Sequence, residues 1–424
     1  MTGTEGTGLT AAQKSKRLDA GGAPFYFASL YAAGIGPLPE SYAPYKNKEG
    51  KIDYTTDEVT GKKTPFEYSA DGDWTVPESK RFGVVAELRN GNLLPSPAVR
   101  EQDSNGNYTY EYDGGATDAI KREIKAGRAV DFCFAFGTEK DQMQYCDETT
   151  WAEYAYDVDA APDHSCCIVG WDDNYSKTNF KSKDAKGNAV SQPPENGAFL
   201  VKNSWGASNN KFPNKFNFGN NGYFWLSYYD PTITMCASYD FNGSKAENKK
   251  SSGYYAYGYD YMPVMVVNND TTDDPAYTAN VFTASSSQKI RSLSCQTAAA
   301  GDTVTYELYK LNKGYTSPED GTLMYKTTKT YQYAGYHRID FSKSCFLSAG
   351  DKFSVVITEK DTDNKFVLPV NTAMSKAAGQ KTYATSVINK GESYVCSSDT
   401  NNVWSDWKNA AAEIVEQAGG TMVC

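Results

Sequence analysis

Alternation of apolar and polar positions is clearest in the second half of the chain, where Val304, Tyr306 and Leu308, and again Phe353, Val355 and Ile357, recur at every second residue. That period predicts strands with one face turned to a core. Short runs of this kind follow one another with turn residues between them: YTANVFTA, KIRSLSC, TVTYELYKL, GTLMYKT, YHRIDF, KFSVVITEK and FVLPVN. Strands at such spacing predict an all-β sandwich.

The first half is more mixed. A small-residue stretch from Phe25 to Ala33, closed by Gly34, Gly36 and Pro37, reads as a helix. Between Thr117 and Lys125, Ile120 and Ile124 share one helix face, and Gly127 supplies the stop. A strand is expected from Ala129 to Phe136, and residues 46–80 read as polar loop. HSCCIVGW, AFLVKN and GYFWLSYY, within His164 to Tyr229, then read as three consecutive strands of an antiparallel meander. The polar bridge SYDFNGSKAENKKSSG marks a domain boundary, which gives an α+β domain over 1–240 and an all-β domain over 241–424.

Charge narrows the list of partners. A net charge of -10 and the absence of any Lys/Arg cluster argue against nucleic acid, because phosphate surfaces demand concentrated positive charge. The longest apolar runs, such as Met262 to Val267, are far shorter than the roughly 20 residues of a spanning helix. The opening MTGTEGTGLTAAQK shows no secretory signal. Nine cysteines are too few for a disulfide scaffold, and Cys166 and Cys167, adjacent on a strand, point to opposite faces and are expected to be reduced.

Only two histidines are present. His337, in YAGYHRIDF, is expected to be a solvent-facing strand residue with a structural role. His164 has a partner: pairing HSCCIVGW with AFLVKN brings the start of one strand beside the end of the other, and so His164 beside Asn203. An Asn amide there fixes the tautomer and orientation of the imidazole, and Trp205 is placed to shield that bond from water.

DHSCCIVGWDD, AFLVKNSWG and GYFWLSYY together resemble the His and Asn region of papain-like cysteine peptidases, and DAGGAPFYFASLYAAGIGPLPESYAPY is similar to the segment after the catalytic helix in bacterial and archaeal members. The resemblance implies a papain-like domain followed by a lectin-like sandwich. It implies His164 and Asn203 as catalytic residues and Trp205 as their cover, with Gly21, Gly22 and Asp163 contacting an extended polypeptide substrate. An extracellular or cell-surface location is implied as well, with no cofactor and no metal. Asp172, Asp173 and Asn174 could ligate calcium, but a polar turn is the favoured reading.

One departure is large. The family's CGxCW-like motif, with its nucleophilic cysteine at a helix N-terminus, has no counterpart; the first cysteine is Cys133, expected to be buried in a strand. Cys167, three residues from His164, points to the opposite face and is no substitute. The expectation is therefore a peptidase fragment, inactive alone, whose N-terminal catalytic segment is missing. Phe218 and Gly219 replace the usual second Trp-Gly after the insertion ASNNKFPNKFN. The alternative is a non-catalytic protein that binds surface glycans or proteins on a peptidase scaffold; another acyl-transfer chemistry is a third reading.

Overall fold

The computed structural model describes residues 24–38, 54–56, 63–65, 84–139, 142–203, 220, 222–242, 256–259, 271–368, 389–401 and 403–409. Helix α1 (Pro24–Ala32) is followed by strands β1 (Tyr54–Thr56), β2 (Lys63–Pro65), β3 (Glu87–Leu93), β4 (Ala98–Gln102) and β5 (Tyr108–Tyr112), then by helix α2 (Gly114–Lys125). Next come β6 (Val130–Phe134), β7 (Thr138–Glu139), β8 (Gln142–Met143), β9 (Cys146–Asp147) and β10 (Ala152–Glu153). The long strands β11 (His164–Asp172), β12 (Ala198–Lys202), β13 (Tyr223–Ser227) and β14 (Thr234–Asn242) complete the first half. The second half is β15 (Thr271–Thr272), β16 (Tyr277–Thr283), β17 (Gln288–Thr297), β18 (Thr303–Leu311), β19 (Gly321–Thr330), β20 (Ala334–Leu347), β21 (Lys352–Lys360), β22 (Phe366–Val367), β23 (Ser393–Cys396) and β24 (Ser405–Asp406).

The chain divides into two compact units. One is built mainly on Leu93–Tyr239; the other combines Phe25–Pro37 and Val84–Asn92 with residues from Asp240 onward. In the first, strands run in the order β14-β6-β11-β12-β13-β10-β9. The meander β11-β12-β13 is antiparallel throughout. Ile168, Phe199, Val201, Phe224 and Leu226 are fully buried on it, and Phe132 and Phe134 on the neighbouring β6. Each such side chain contributes about 1.5–3 kcal/mol relative to leaving it in water.

Helix α2 packs on β6 and β11 through Ala116, Ala119 and Ile120. It begins earlier than its apolar spacing suggests, because Asp113 caps it by accepting from the Gly115 and Ala116 amides at 2.8 and 3.2 Å. At its other end Glu123, buried, accepts from Arg128 Nε at 2.6 Å and from Ser238 Oγ at 2.7 Å. The expected loop over 46–80 is corrected: β1 and β2 pair antiparallel, with Tyr54 opposite Pro65. Among the described residues, no helix is long and apolar enough to cross a membrane.

The second unit is a sandwich. One layer runs β17-β20-β3; the other runs β19-β18-β21-β16-β23-β24, with β22 and β15 continuing beside β21. Between them lie Val304, Tyr306, Leu308, Phe353 and Ile357 from one layer and Leu293, Ile339 and Leu347 from the other. The alternation read in the sequence is the core face of this sandwich. Strand β21 is covered on both sides, since Ser354 and Val356 are buried as well.

His337 departs from its expected solvent-facing position: it is 2% exposed. Its Nδ1 lies 3.2 Å from Asn90 Oδ1 and its Nε2 lies 3.1 Å from Thr297 Oγ1 and 3.0 Å from the Tyr333 carbonyl. The ring stacks on Tyr331 at 3.8 Å. Strand alternation alone does not reveal that a second strand, β3, covers this edge of β20. Burial lowers the His337 pKa to about 4.

Two tests follow from this packing. Gly197 has φ +117, and an added Cβ would lie 2.5 Å from Cε2 of the buried Tyr228, so Gly197→Ala is expected to destabilise by roughly 1–3 kcal/mol, read as a lower urea midpoint. For His337 the folded pKa lies below the ordinary value of 6.5, so the unfolded chain protonates first as pH falls. Its contribution, on the order of 3 kcal/mol, is present above pH 6.5 and lost between there and pH 4. At pH 5 the His337 nitrogen resonances are expected to keep the neutral pattern; an imidazolium pattern would contradict the burial argument.

Candidate active site

The site is built from two neighbouring strands. Cys167 pairs with Lys202 in the β11–β12 ladder, so the chain just beyond β12 lies alongside the first residues of β11. Asn203 is held there by its own amide, which donates to the Gly222 carbonyl at 2.9 Å, and it is 3% exposed. His164, the first residue of β11, pairs with Phe134 of β6 on its other side. The imidazole sits 5.8 and 5.4 Å from the Phe134 and Phe136 rings.

His164 Nε2 and Asn203 Oδ1 are 3.3 Å apart. An amide oxygen only accepts, so Nε2 carries the hydrogen and Nδ1 is left as the basic nitrogen. Burial lowers the His164 pKa; the Asn203 bond and the nearby Asp163 charge oppose that shift. Asp163 is exposed at the strand start. Its Oδ1 accepts from the Phe136 amide at 2.7 Å and its own amide donates to the Phe134 carbonyl at 3.1 Å, which ties the histidine's entry turn to the end of β6.

The other sequence candidates fall differently. Trp205, Gly21 and Gly22 lie outside the described residues, as do Phe218 and Gly219. Cys133 is half-buried rather than buried, because β6 turns it to the face opposite Phe132 and Phe134. That face also carries Ser165, opposite it in the β11–β6 register, and Cys167. His164 points the other way, with Cys166 and Ile168. Burial raises the thiol pKa of Cys133, and pushes that of Cys167 up to about 11. Neither favours a thiolate. No disulfide joins the eight described cysteines.

Asp172 to Asn174 form a turn: Asp172 Oδ1 accepts from the Asn174 amide at 2.8 Å, and Asp173 Oδ1 bonds Lys121 Nζ at 2.6 Å and Tyr228 OH at 2.8 Å. Among the described residues, no group of three or more His, Cys, Asp or Glu side chains converges to hold a metal.

Sequence reading missed a buried acidic pair. Asp230, fully buried, accepts from the Ala155 amide at 2.7 Å and from the Thr232 amide at 2.8 Å, and burial pushes its pKa up to about 6. Glu153 is also fully buried, and burial together with the Asp230 charge raises its pKa well above the usual carboxylate range. Strand β10, which carries Glu153, has only two residues, too short for any periodic signal.

In fold, the chain is similar to solved cysteine-protease and lectin-like domains. Residues 256–416 match the family described as lectin like domain. Among solved structures, the chain is similar to the Clostridial cysteine protease Cwp84 in a cysteine-to-alanine variant after propeptide cleavage, with 21% identity, a TM-score of 0.59, and coverage of 94% of this chain and 84% of that one. It is also similar to the cysteine protease and lectin-like domains of Cwp84, a surface layer associated protein of Clostridium difficile, with 22% identity, a TM-score of 0.57, and coverage of 94% and 75%. No curated protein matches the sequence.

Replacing Asn203 with Ala removes the acceptor that favours protonated His164. The His164 pKa is expected to fall further below 6.5 in that variant, as read by a nitrogen-detected NMR titration; an unchanged or higher value would show that the 3.3 Å contact does not act on the imidazole.

Proposed function

We propose that His164 and Asn203 are the general acid–base and orienting residues of a cysteine-peptidase centre that hydrolyses peptide bonds in extended polypeptides. The observation that carries this reading is the 3.3 Å contact between His164 Nε2 and Asn203 Oδ1. With Nε2–H held by the amide, Nδ1 takes a proton from an approaching thiol and returns it to the leaving amine; water then releases the acyl group from sulfur by the same base. The lowered His164 pKa keeps the imidazole neutral, and so basic, at pH 7.

In this reading the nucleophile is none of the described cysteines. Their thiol pKa values are all raised, burial being the first cause in each. The sequence before Cys133 holds no cysteine at all. The family's nucleophile sits on a CGxCW-like helix, a motif that the 424 residues do not contain. By the family resemblance, Asp163, Gly21 and Gly22 would contact the substrate and Trp205 would cover the His–Asn bond.

A second reading accompanies the first. The lectin-like unit, matched over 256–416, serves as a binding module for surface glycans or proteins, and the 424 residues alone act through it. The relative's surface-layer association supports a cell-surface location for this chain.

The test uses the chain extended at its N-terminus by a CGxCW-bearing helix, with an unfolded polypeptide as substrate. Hydrolysis is expected in the extended chain and not in the 424 residues alone, and His164→Ala is expected to lower kcat/KM by roughly 10³. Unchanged turnover in His164→Ala would overturn the assignment.

A further inference from the structure

The lectin-like unit carries a pocket of about 590 Å³ on the face of its larger sheet that points away from the sandwich core. The floor is one row of residues across neighbouring strands. Thr305 and Glu307 alternate with the core residues Val304, Tyr306 and Leu308 on β18 and so face outward. Lys326 lies opposite Glu307 on β19, and Thr358 opposite Thr305 on β21. On β16, Tyr277 lies opposite Cys396 of β23 and continues the row.

Aromatic side chains wall it. The Tyr277 ring stands 6.1 Å from Phe366 and 6.3 Å from Trp404. Trp404 is anchored, since its Nε1 donates to Glu319 Oε2 at 2.8 Å. Glu307, only 8% exposed, pairs with Lys326 Nζ at 2.7 Å. The volume falls within the roughly 300–1,000 Å³ of small-molecule sites.

Rings set around hydroxyls and carboxylates match the two surfaces of a sugar: apolar C–H faces that stack on aromatic rings, and equatorial hydroxyls that donate to carboxylates. The charges add selectivity. Two carboxylates, Glu307 and Glu319, face a single ammonium, that of Lys326, so the lining is net negative and repels an acidic ligand. We propose that this pocket is a saccharide-binding site that accepts neutral or amino hexose units and rejects uronic, sialic and phosphorylated ones. The inference rests on the reading of this unit as a binding module and is independent of the peptidase centre.

The experiment presents the full chain to an array of neutral, amino-substituted and acidic saccharides, followed by calorimetric titration with the best binder. Neutral or amino saccharides are expected to bind, and Trp404→Ala and Tyr277→Ala each to weaken the affinity at least tenfold, with thermal melting confirming that both variants fold. Trp404→Phe keeps a ring but loses the bond to Glu319, and an intermediate loss is expected. Should a variant fail to fold, Glu307→Gln decides: acidic saccharides are expected to gain affinity relative to neutral ones. Preference for acidic saccharides, or affinity unchanged within twofold in the folded variants, overturns the pocket assignment. A chain that binds a surface protein but no saccharide overturns it too while leaving the binding-module reading in place; a chain that binds neither overturns both.

Discussion

The register between β11 and β12 is the constraint on which the candidate site rests. With Cys167 opposite Lys202, the side chains of His164 and Asn203 emerge on the same face of the sheet, near enough for one hydrogen bond. A slip of one residue would turn His164 to the face of Ser165 and Cys167 and leave Asn203 without the imidazole. The register is secured elsewhere, by Ile168, Phe199 and Val201 buried in the core on both strands and by β6 and β13 flanking the pair. Apolar packing several residues away thus positions two polar groups that gain little from their own contact.

Much of this was legible in the sequence because the signals are local. Three β-runs separated by polar connections predict a meander, and a meander puts the beginning of the first run beside the end of the second; no knowledge of the rest of the chain is needed. The sandwich strands were legible for the same reason, as Val304, Tyr306 and Leu308 show. The environment of His337 was not. Its burial comes from β3, some 250 residues away in sequence, whose residue Asn90 meets its Nδ1. Glu153 was hidden by the brevity of its strand, and the start of α2 was hidden because it is set by the Asp113 cap and not by apolar spacing. The lectin-like pocket draws on widely separated segments of chain, and no window of sequence holds more than a few of its residues.

Both units bury acidic side chains. In the first, Glu153 and Asp230 are both fully buried, and burial raises both pKa values, that of Glu153 well above the usual carboxylate range and that of Asp230 to about 6, while the buried Glu123 is met by Arg128. In the second, burial together with the equally buried Asp302 pushes the Glu359 pKa up to about 9. The outward-facing Glu307 is instead met by Lys326.

The connection between β11 and β12 runs from Asp173 to Gly197, and its ends are fixed by the sheet and not by its own length. Gly197 donates to the Tyr175 carbonyl and accepts from the Tyr228 amide, so the loop is pinched shut where it leaves the strands. Beyond that pinch the segment is still tied to the core: Phe180, buried, packs with Ala152 and Ala198, and Lys181 Nζ donates to the Met143 carbonyl at 2.8 Å. A change of length is therefore absorbed best at the exposed residues 185–189, which turn around Asp184, and worst at Phe180, so new surface can be added at the tip of this connection while its root stays fixed.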